Sequence, residues 1–113
     1  CMSDCIFCKI LAGEIPAAIV AETPLSIAFK DISPKAPLHV LVVSREHHQN
    51  VADIGEADPV AAADLLTLSR KVASDAGVSD YRLIFNTGAD AGQTVFHVHG
   101  HVLAGGAIAL GFE

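Results

Sequence analysis

Three histidines alternate with small or apolar residues near the end of the chain, at positions 97, 99 and 101. Side chains two residues apart on a β-strand point to the same face, so the spacing predicts three imidazoles on one face of a strand. The outer pair would be ~13 Å apart, too far for all three to bind one metal ion through bonds of ~2 Å. Such a row suits attack on a phosphoryl group and proton transfer around it. A solvated strand face, or an accidental tag-like run, would give the same alternation.

The rest of the pattern predicts an α+β fold with a mostly antiparallel sheet. Strands are expected at residues 17–21, 26–30, 38–43, 82–85 and 95–103, and a short helix or turn at 6–11. Ordered loops are expected at 31–37 and 86–93. A long helix should begin at Asp58-Pro59, a capping acid followed by proline, and end at Gly77. Its core-facing stripe would be Ala61, Leu65, Leu68 and Val72.

Length and charge narrow the class of protein. A length of 113 residues is typical of one domain, and we expect a single domain over residues 1–113. A net charge of −6 argues against a nucleic-acid binder, and no apolar run approaches the ~20 residues that span a bilayer. The odd number of cysteines and the absence of a signal-peptide pattern predict the reducing cytoplasm. Cys1 precedes Met2 and is assigned no function.

Four blocks of sequence, taken in order, resemble one family. Residues 93–103, QTVFHVHGHVL, resemble the histidine triad motif of the HIT superfamily. Residues 5–10 resemble its N-terminal segment, 29–39 its nucleotide-binding strand and loop, and 86–93 its phosphate loop. The most similar branch is the Hint-like nucleoside phosphoramidases. The resemblance implies a HIT-like, five-stranded sheet with one long helix and a short N-terminal helix.

The resemblance also implies an enzyme, a hydrolase that cleaves purine nucleoside phosphoramidates or related conjugates at the α-phosphate. His99 would be the nucleophile and form a nucleotidyl-histidine intermediate that water hydrolyses. His101 would bind the phosphate oxygens, and His97 completes the implied catalytic set. For His99 to attack, its other ring nitrogen must donate a hydrogen bond, and we expect a backbone carbonyl as the acceptor. We expect His39, inside an apolar strand, to be buried and to support the triad by hydrogen bonding.

A purine nucleotide such as AMP or GMP is the implied ligand, and a homodimer is the implied assembly. Asp31 would accept hydrogen bonds from the ribose hydroxyls, although an aspartate before Pro34 is also typical of a turn. Phe7, Ile10, Phe29 and Ile32 would form an apolar slot for the purine base. Apolar residues in these positions are also consistent with ordinary core packing. The implied nucleotide-binding residues are Phe7, Ile10, Phe29, Asp31, Ile32, Asn86, Gln93, Thr94 and Val95.

The pair Cys5 and Cys8 has three interpretations from sequence alone: a redox pair, half of a zinc site, or two small buried residues. Some bacterial HIT proteins and the related uridylyltransferases look similar in joining such a pair to two histidines. Here the histidines would be His47, with His48 as the neighbouring alternative, and His97. The resemblance therefore implies a structural zinc ion held by two cysteines and two histidines.

The chain departs from the family pattern at two places. Gly100 replaces an apolar residue, which predicts a gap beside the nucleophile or a close approach of backbone. Residues 104–113 lack the Trp-Pro-Pro-Gly-like tail that helps to shape the leaving-group side of the pocket in the Hint branch. Two other functions stay open: a nucleotide-binding regulatory module with residual hydrolysis, and a protein whose triad itself holds a metal.

Overall fold

The computed structural model describes residues 5–106. Cys1 and most of the divergent C-terminal segment lie outside the described residues. The helices and strands are α1 Ile6–Leu11, β1 Ile19–Glu22, β2 Ser26–Lys30, β3 Leu38–Ser44, α2 Val51–Ala57, α3 Pro59–Asp75, β4 Arg82–Ile84 and β5 His99–Ala104, with a 3-10 turn at Ala89–Ala91.

The strands form one sheet in the order β1-β2-β3-β5-β4, and every neighbouring pair is antiparallel. This confirms the α+β fold with a five-stranded antiparallel sheet. The central strand β3 is buried from residue 39 to residue 44. No helix in the described part of the chain is long and apolar enough to cross a membrane.

The two faces of the sheet carry different cores, because side chains alternate along each strand. Val40 and Val42 of β3 and Val102 of β5 pack in the cluster that contains the α3 stripe. Leu41 and Val43 pack on the opposite face with Phe7 of α1. Residues 39, 41 and 43 pair with residues 103, 101 and 99, so His99 and His101 belong to this second face. The histidines of β5 thus lie on the face away from α3.

Helix α3 confirms the sequence prediction at both ends. Asp58 is the N-cap, and its Oδ1 accepts a hydrogen bond from the backbone N–H of Ala61 at 3.1 Å. Pro59 opens the helix, and Gly77 follows it with φ 76°, a conformation that glycine adopts without strain. The four predicted stripe residues, Ala61, Leu65, Leu68 and Val72, are all buried.

The last strand is shorter than predicted and excludes His97. It begins at His99, and its pairing with β3 begins at Val43. Before it, the Val98 N–H donates to the His48 carbonyl at 2.7 Å, and the His97 side chain binds the carbonyl of Ser44, the last residue of β3. These contacts replace strand pairing, so the prediction that one strand carries all three histidines is wrong at His97.

Smaller differences occur elsewhere. Strand β1 begins and ends later than the predicted 17–21, and β4 lacks Phe85. Helix α2 was not predicted from the sequence. Its start is capped by the Asn50 side chain, which accepts from the Asp53 N–H at 2.9 Å, and Ile54 is its buried residue. The cap was readable in the sequence, but a seven-residue helix is too short to show a clear periodicity.

Gly100 corrects the expectation of a gap beside the nucleophile. A Cβ at this position would meet Phe85 Cζ at 2.8 Å and Leu83 Cδ1 at 2.9 Å. Both side chains pack against the cluster on the α3 face, so they fill the space that an apolar residue would occupy. The glycine therefore compensates for two larger neighbours on β4 and just after it.

Replacing Gly100 by valine should destabilise the fold, because the added methyl groups would overlap Phe85 and Leu83. We expect the free energy of unfolding to fall by about 1–3 kcal/mol, measured by urea denaturation. Gly55→Ala is the control, since a Cβ there meets nothing within 4 Å and the residue lies in α2. A Gly100→Val protein as stable as the parent would contradict this packing.

Candidate active site

His99 is held in one tautomer by the backbone of the residue two positions before it. Its Nδ1 lies 2.8 Å from the His97 carbonyl oxygen. A carbonyl only accepts, so Nδ1–H donates and Nε2 carries the lone pair. This is the backbone acceptor that the sequence predicted. His99 is 8% exposed, and the Phe7 ring packs edge-on against it with centroids 5.0 Å apart.

His101 is oriented by a chain of hydrogen bonds through His39. The Lys35 backbone N–H donates to His39 Nδ1 at 2.9 Å, so in the neutral ring Nε2 carries the proton. His39 Nε2 lies 3.0 Å from His101 Nδ1 and donates to it. The proton of His101 is therefore on Nε2, the nitrogen available to a ligand. The predicted buried position of His39 and its hydrogen bonding to the triad are confirmed.

Burial keeps these imidazoles neutral near pH 7. It lowers the pKa of His97 to about 4, with the hydrogen bond to Ser44 opposing and nearby His47 adding to the effect. Burial and the neighbouring His99 and His39 lower the pKa of His101 to about 4. Burial also lowers the pKa values of His99 and His39. Neutral rings agree with the tautomers that the hydrogen bonds require.

His97 faces a different set of side chains from the other two triad residues. Its Nε2–H donates to the Ser44 carbonyl at 2.7 Å, which leaves the Nδ1 lone pair directed at sulfur. Nδ1 lies 3.4 Å from Cys5 Sγ and 3.6 Å from Cys8 Sγ. His47 Nδ1 lies 3.4 Å from Cys8 Sγ. The structure thus brings together all four predicted metal ligands.

These four residues fit a tetrahedral zinc ion. Their ligand atoms lie within 4.8 Å of one another. Zinc bonds of 2.0–2.3 Å place tetrahedral ligands about 3.5 Å apart, close to the observed sulfur–nitrogen distances. The Ser44 carbonyl also gives His97 the outer hydrogen bond that metal-bound histidines need. Cys8 is disulfide-bonded in this structure, so zinc binding requires its reduced thiolate.

His48, the alternative ligand, points elsewhere. Its Nε2 lies 3.9 Å from Glu46 Oε2 and is buried without a hydrogen-bond partner. Its backbone carbonyl accepts from Val98. The cluster of potential metal ligands, Cys5, Cys8, His47 and His97, therefore contains His47 and not His48.

The triad does not gather around one ion. In the part of the chain that the structure describes, His99 belongs to neither cluster of potential metal ligands. The second cluster is Asp31, His39 and His101. The Lys35 N–H donates to His39 Nδ1, so the proton of the neutral His39 ring is on Nε2. A metal ion could bind Nε2 only by displacing that proton, which is donated to His101. We therefore interpret this cluster as a hydrogen-bond chain.

The predicted apolar slot is only partly assembled. Phe7 and Phe29 meet edge-on with centroids 5.7 Å apart, and Ile10 packs against the same cluster. Both phenylalanines are also buried core residues, so the core-packing interpretation holds for them as well. Ile32 is 99% exposed and is not packed against this cluster. The structure therefore does not join Ile32 to the other three.

A cleft of about 470 Å³ contains the predicted polar contacts, and we call it the Asp31–His101 cleft. Asp31 accepts from the Ser33 N–H through Oδ1 at 2.7 Å, which is the predicted turn. Its Oδ2 lies 3.4 Å from His39 Nε2. Asn86 and Thr94 line the same cleft. Asp31 thus has a turn role and faces the site as well.

Gln93 shapes the loop rather than facing the cleft. Its Oε1 accepts from the Gly88 N–H at 2.9 Å. Its Nε2 donates to the Gln49 carbonyl at 2.7 Å and to the Val95 carbonyl at 3.0 Å. Both amide hydrogens are used within the protein, so its effect on a ligand would act through the positions of Thr94 and Val95.

Two residues that orient the histidines were not predicted from the sequence. Ser44 contributes its carbonyl to His97, and Lys35 contributes its N–H to His39. Both act through the backbone, so their side-chain types carry no signal of the role.

Comparisons with known proteins show which family the sequence and the fold resemble. The model of the HIT domain matches residues 12–107. The adenosine 5'-monophosphoramidase of Schizosaccharomyces pombe is 43% identical over 100 residues, covering 88% of this chain and 73% of that protein. The purine nucleoside phosphoramidase of Escherichia coli is 39% identical over 104 residues, covering 90% and 87%. The structure of a HIT family hydrolase from Clostridium thermocellum superposes with a TM-score of 0.92 at 44% identity, covering 97% of each chain.

Proposed function

Because this chain belongs to the HIT domain family, we propose that it hydrolyses purine nucleoside phosphoramidates of the AMP type at the α-phosphate. The observation that carries the proposal is the hydrogen bond from His99 Nδ1 to the His97 carbonyl, which leaves Nε2 as an unprotonated nucleophile on a buried ring. The names of the S. pombe and E. coli relatives support this substrate class.

The reaction proceeds in two displacements at phosphorus. His99 Nε2 attacks the α-phosphorus and forms a P–N bond, while the bond to the leaving amine breaks and its electron pair departs with the amine, which takes up a proton. Water then attacks the nucleotidyl-histidine, releasing AMP and restoring the neutral imidazole. Each step replaces one phosphorus bond by another, so no free metaphosphate needs to accumulate.

His101 donates from Nε2 to the phosphate oxygens on which charge develops. The chain from Lys35 through His39 fixes that proton in place before the substrate arrives. A donor oriented in advance needs no reorganisation during the reaction, which is the main source of electrostatic stabilisation in such sites. His39 is in this account a positioning residue, because it acts through His101.

A zinc ion held by Cys5, Cys8, His47 and His97 would act as a structural cross-link between the start of α1 and the segment before β5. His97 also presents its carbonyl to His99. The side chain that would bind the metal and the carbonyl that orients the nucleophile thus belong to one residue. We propose that the cluster stabilises the position of His99.

Alanine at Asp31 should weaken AMP binding, because the carboxylate is the proposed acceptor for the ribose hydroxyls. We expect Kd to rise about 10-fold, the usual cost of losing hydrogen bonds to a charged group. Isothermal titration with AMP and with 2',3'-dideoxy-AMP separates this contact from general disruption. Glu56→Ala is the control with the same charge change at an exposed helix position. Equal losses for both nucleotides would contradict the ribose assignment.

The activity itself is tested with adenosine 5'-monophosphoramidate. The zinc-loaded, reduced protein should release AMP and ammonia over many catalytic cycles per protein molecule. AMP should inhibit this release by competing with the substrate. If AMP binds but no substrate turns over, the chain is the nucleotide-binding module that is the alternative function.

Three parts of the proposal rest on the sequence and the family resemblance: a single domain over residues 1–113, a homodimer, and the cytoplasm as compartment. A reducing compartment agrees with a site that needs two thiolates. Light scattering coupled to gel filtration measures the assembly directly.

A further inference from the structure

Two of the four potential metal ligands also line an open cleft. Cys5, His47 and Phe96 form part of the wall of a cleft of about 480 Å³, which we call the Cys5 cleft. Cys5 is half-buried and carries a free thiol, whereas Cys8 is only 5% exposed. A small molecule that enters the Cys5 cleft therefore reaches the sulfur of Cys5 before that of Cys8.

The two sulfur atoms are close enough to bond to each other after a small movement. They lie within 4.8 Å of one another, and both are beside His97 Nδ1, at 3.4 Å for Cys5 and 3.6 Å for Cys8. A disulfide needs ~2.05 Å between its sulfurs, and rotation of the two cysteine side chains can close that gap. An accessible cysteine beside a buried one is the arrangement in which a first oxidation at sulfur is resolved to a disulfide.

The fold accommodates an oxidised Cys8, because Cys8 is disulfide-bonded in this structure while Cys5 is free. A disulfide at Cys8 can pass to Cys5 by exchange. The Cys5 sulfur attacks the Cys8 sulfur, the new S–S bond forms as the old one breaks, and the released sulfur takes up the Cys5 thiol proton. Zinc binding needs both thiolates, so the metal and a disulfide at these residues exclude each other.

Direct contacts connect the cysteine pair to the proposed nucleophile. Phe7, between the two cysteines in the sequence, packs edge-on against the rings of His97 and His99, with centroids 5.9 and 5.0 Å away. Phe7 is 6% exposed, so a shift at the start of α1 displaces closely packed atoms. His97 contacts both sulfurs, and its carbonyl accepts the hydrogen bond from His99 Nδ1. A change at the sulfurs therefore acts on the residue that orients His99.

We propose that Cys5 and Cys8 form a reversible oxidation site for hydrogen peroxide, and that the disulfide form is a slower hydrolase than the reduced form. The oxidation site itself goes beyond the proposed function. Its effect on hydrolysis rests on that function.

The oxidation takes place in two displacements at sulfur and oxygen. The Cys5 sulfur attacks one peroxide oxygen, the O–O bond breaks, and the leaving oxygen takes up the thiol proton and departs as water. The Cys8 sulfur then attacks the sulfur of the Cys5 sulfenic acid, the S–S bond forms, and the hydroxyl departs as water with the Cys8 thiol proton. One peroxide thus accepts two electrons from two thiols. Where the thiolates hold zinc, the two protons come from solvent and the ion loses both sulfur ligands.

The test exposes fully reduced wild-type protein to hydrogen peroxide and maps its disulfides by mass spectrometry after alkylation and digestion. We expect a Cys5–Cys8 disulfide that dithiothreitol reverses, and release of bound zinc to a metal-sensitive dye. The kcat for adenosine 5'-monophosphoramidate should fall at least about 10-fold and recover with dithiothreitol, because a displacement of ~1 Å in a catalytic site can cost ~100-fold. Cys1→Ser retains both members of the pair and is the matched control, which should respond as the wild type does.

The difference in exposure gives a second readout that does not depend on activity. In reduced, metal-free wild-type protein, iodoacetamide should alkylate Cys5 faster than Cys8. After peroxide, Cys8→Ser should retain a Cys5 sulfenic acid that dimedone traps, whereas Cys5→Ser should show little trapping at Cys8. The wild-type alkylation rates decide the order of reaction even where a variant fails to fold, and faster alkylation of Cys8 would contradict it.

The outcomes separate the two proposals. If the substrate turns over but peroxide gives no Cys5–Cys8 disulfide, or joins Cys8 to Cys1 instead, the oxidation site is overturned and the proposed function stands. If the disulfide forms and reverses but no substrate turns over under reducing conditions, the proposed function fails and the oxidation site stands. A Cys5–Cys8 disulfide that leaves kcat unchanged would overturn the coupling to His99.

Discussion

Alanine at position 99 should abolish hydrolysis while leaving nucleotide binding largely intact. We expect kcat/KM for adenosine 5'-monophosphoramidate to fall about 10,000-fold, the scale seen when a covalent nucleophile is removed. The reason is that no other described imidazole has both its tautomer fixed by the His97 carbonyl and its Nε2 left for attack. His101 cannot substitute, because its Nδ1 is engaged by His39 and its Nε2 carries a proton.

The matched control for this variant is His48→Ala. His48 is another partly buried histidine near the site, and its backbone carbonyl, which alanine retains, accepts the hydrogen bond from Val98. Wild-type rates are expected for this control. A His99→Ala protein that binds AMP and turns over at the rate of the control would show that His99 is not the nucleophile.

If the Cys5, Cys8, His47 and His97 cluster holds zinc as proposed, removing the ion should greatly lower the free energy of unfolding. A metal that binds only the folded state at about 1,000 times its Kd stabilises it by about 4 kcal/mol. For a domain of this size the loss corresponds to a decrease in Tm of about 15–30 °C. Calorimetry of the reduced protein with and without a chelator measures it. We expect kcat to fall as well, because His97 both contacts the cluster and orients His99.

Cys5→Ser provides the comparison for the zinc experiment. The Tm of this variant should be lower than that of the zinc-loaded wild type even before the chelator is added, since one of the four ligands is lost. The chelator should then cause no further decrease. Metal analysis gives the contradicting result: no zinc in the purified, reduced protein, with Cys5 and Cys8 both reacting with a thiol reagent, would remove the metal site.

The sequence predicted the parts of the fold in which local chemistry and burial agree. Helix α3 shows a capping acid, a proline and a buried stripe in register, and the structure confirms each of them. Strands β2 and β3 were clear because their apolar runs lie between turn residues. These signals need no knowledge of distant parts of the chain.

The start of β5 depended on a contact that the local pattern does not show. Residues 95–98 alternate like a strand, but the carbonyl at the end of β3 is bound by the His97 side chain instead of a strand N–H. The same contact turns His97 toward Cys5 and Cys8. The strand predicted from alternation therefore began at residue 95 instead of His99, because His97 lies between the cluster of potential metal ligands and the triad.

The site chemistry followed a similar division. The roles predicted for the cysteine pair and for His99 came from the family resemblance, which rests on side chains of distinctive type. Backbone groups that fix their protonation, the His97 carbonyl and the Lys35 N–H, became visible only in three dimensions.

On the proposed mechanism, His99 becomes covalently attached to the nucleotide. Wild-type protein mixed with substrate and quenched in base, where the phosphorus–nitrogen bond to histidine survives, should show the added mass of one AMP. Peptide sequencing by mass spectrometry should place that mass on His99, and His99→Ala should show none. An AMP adduct on His97 or His101, or turnover with no adduct at any time after mixing, would contradict the account.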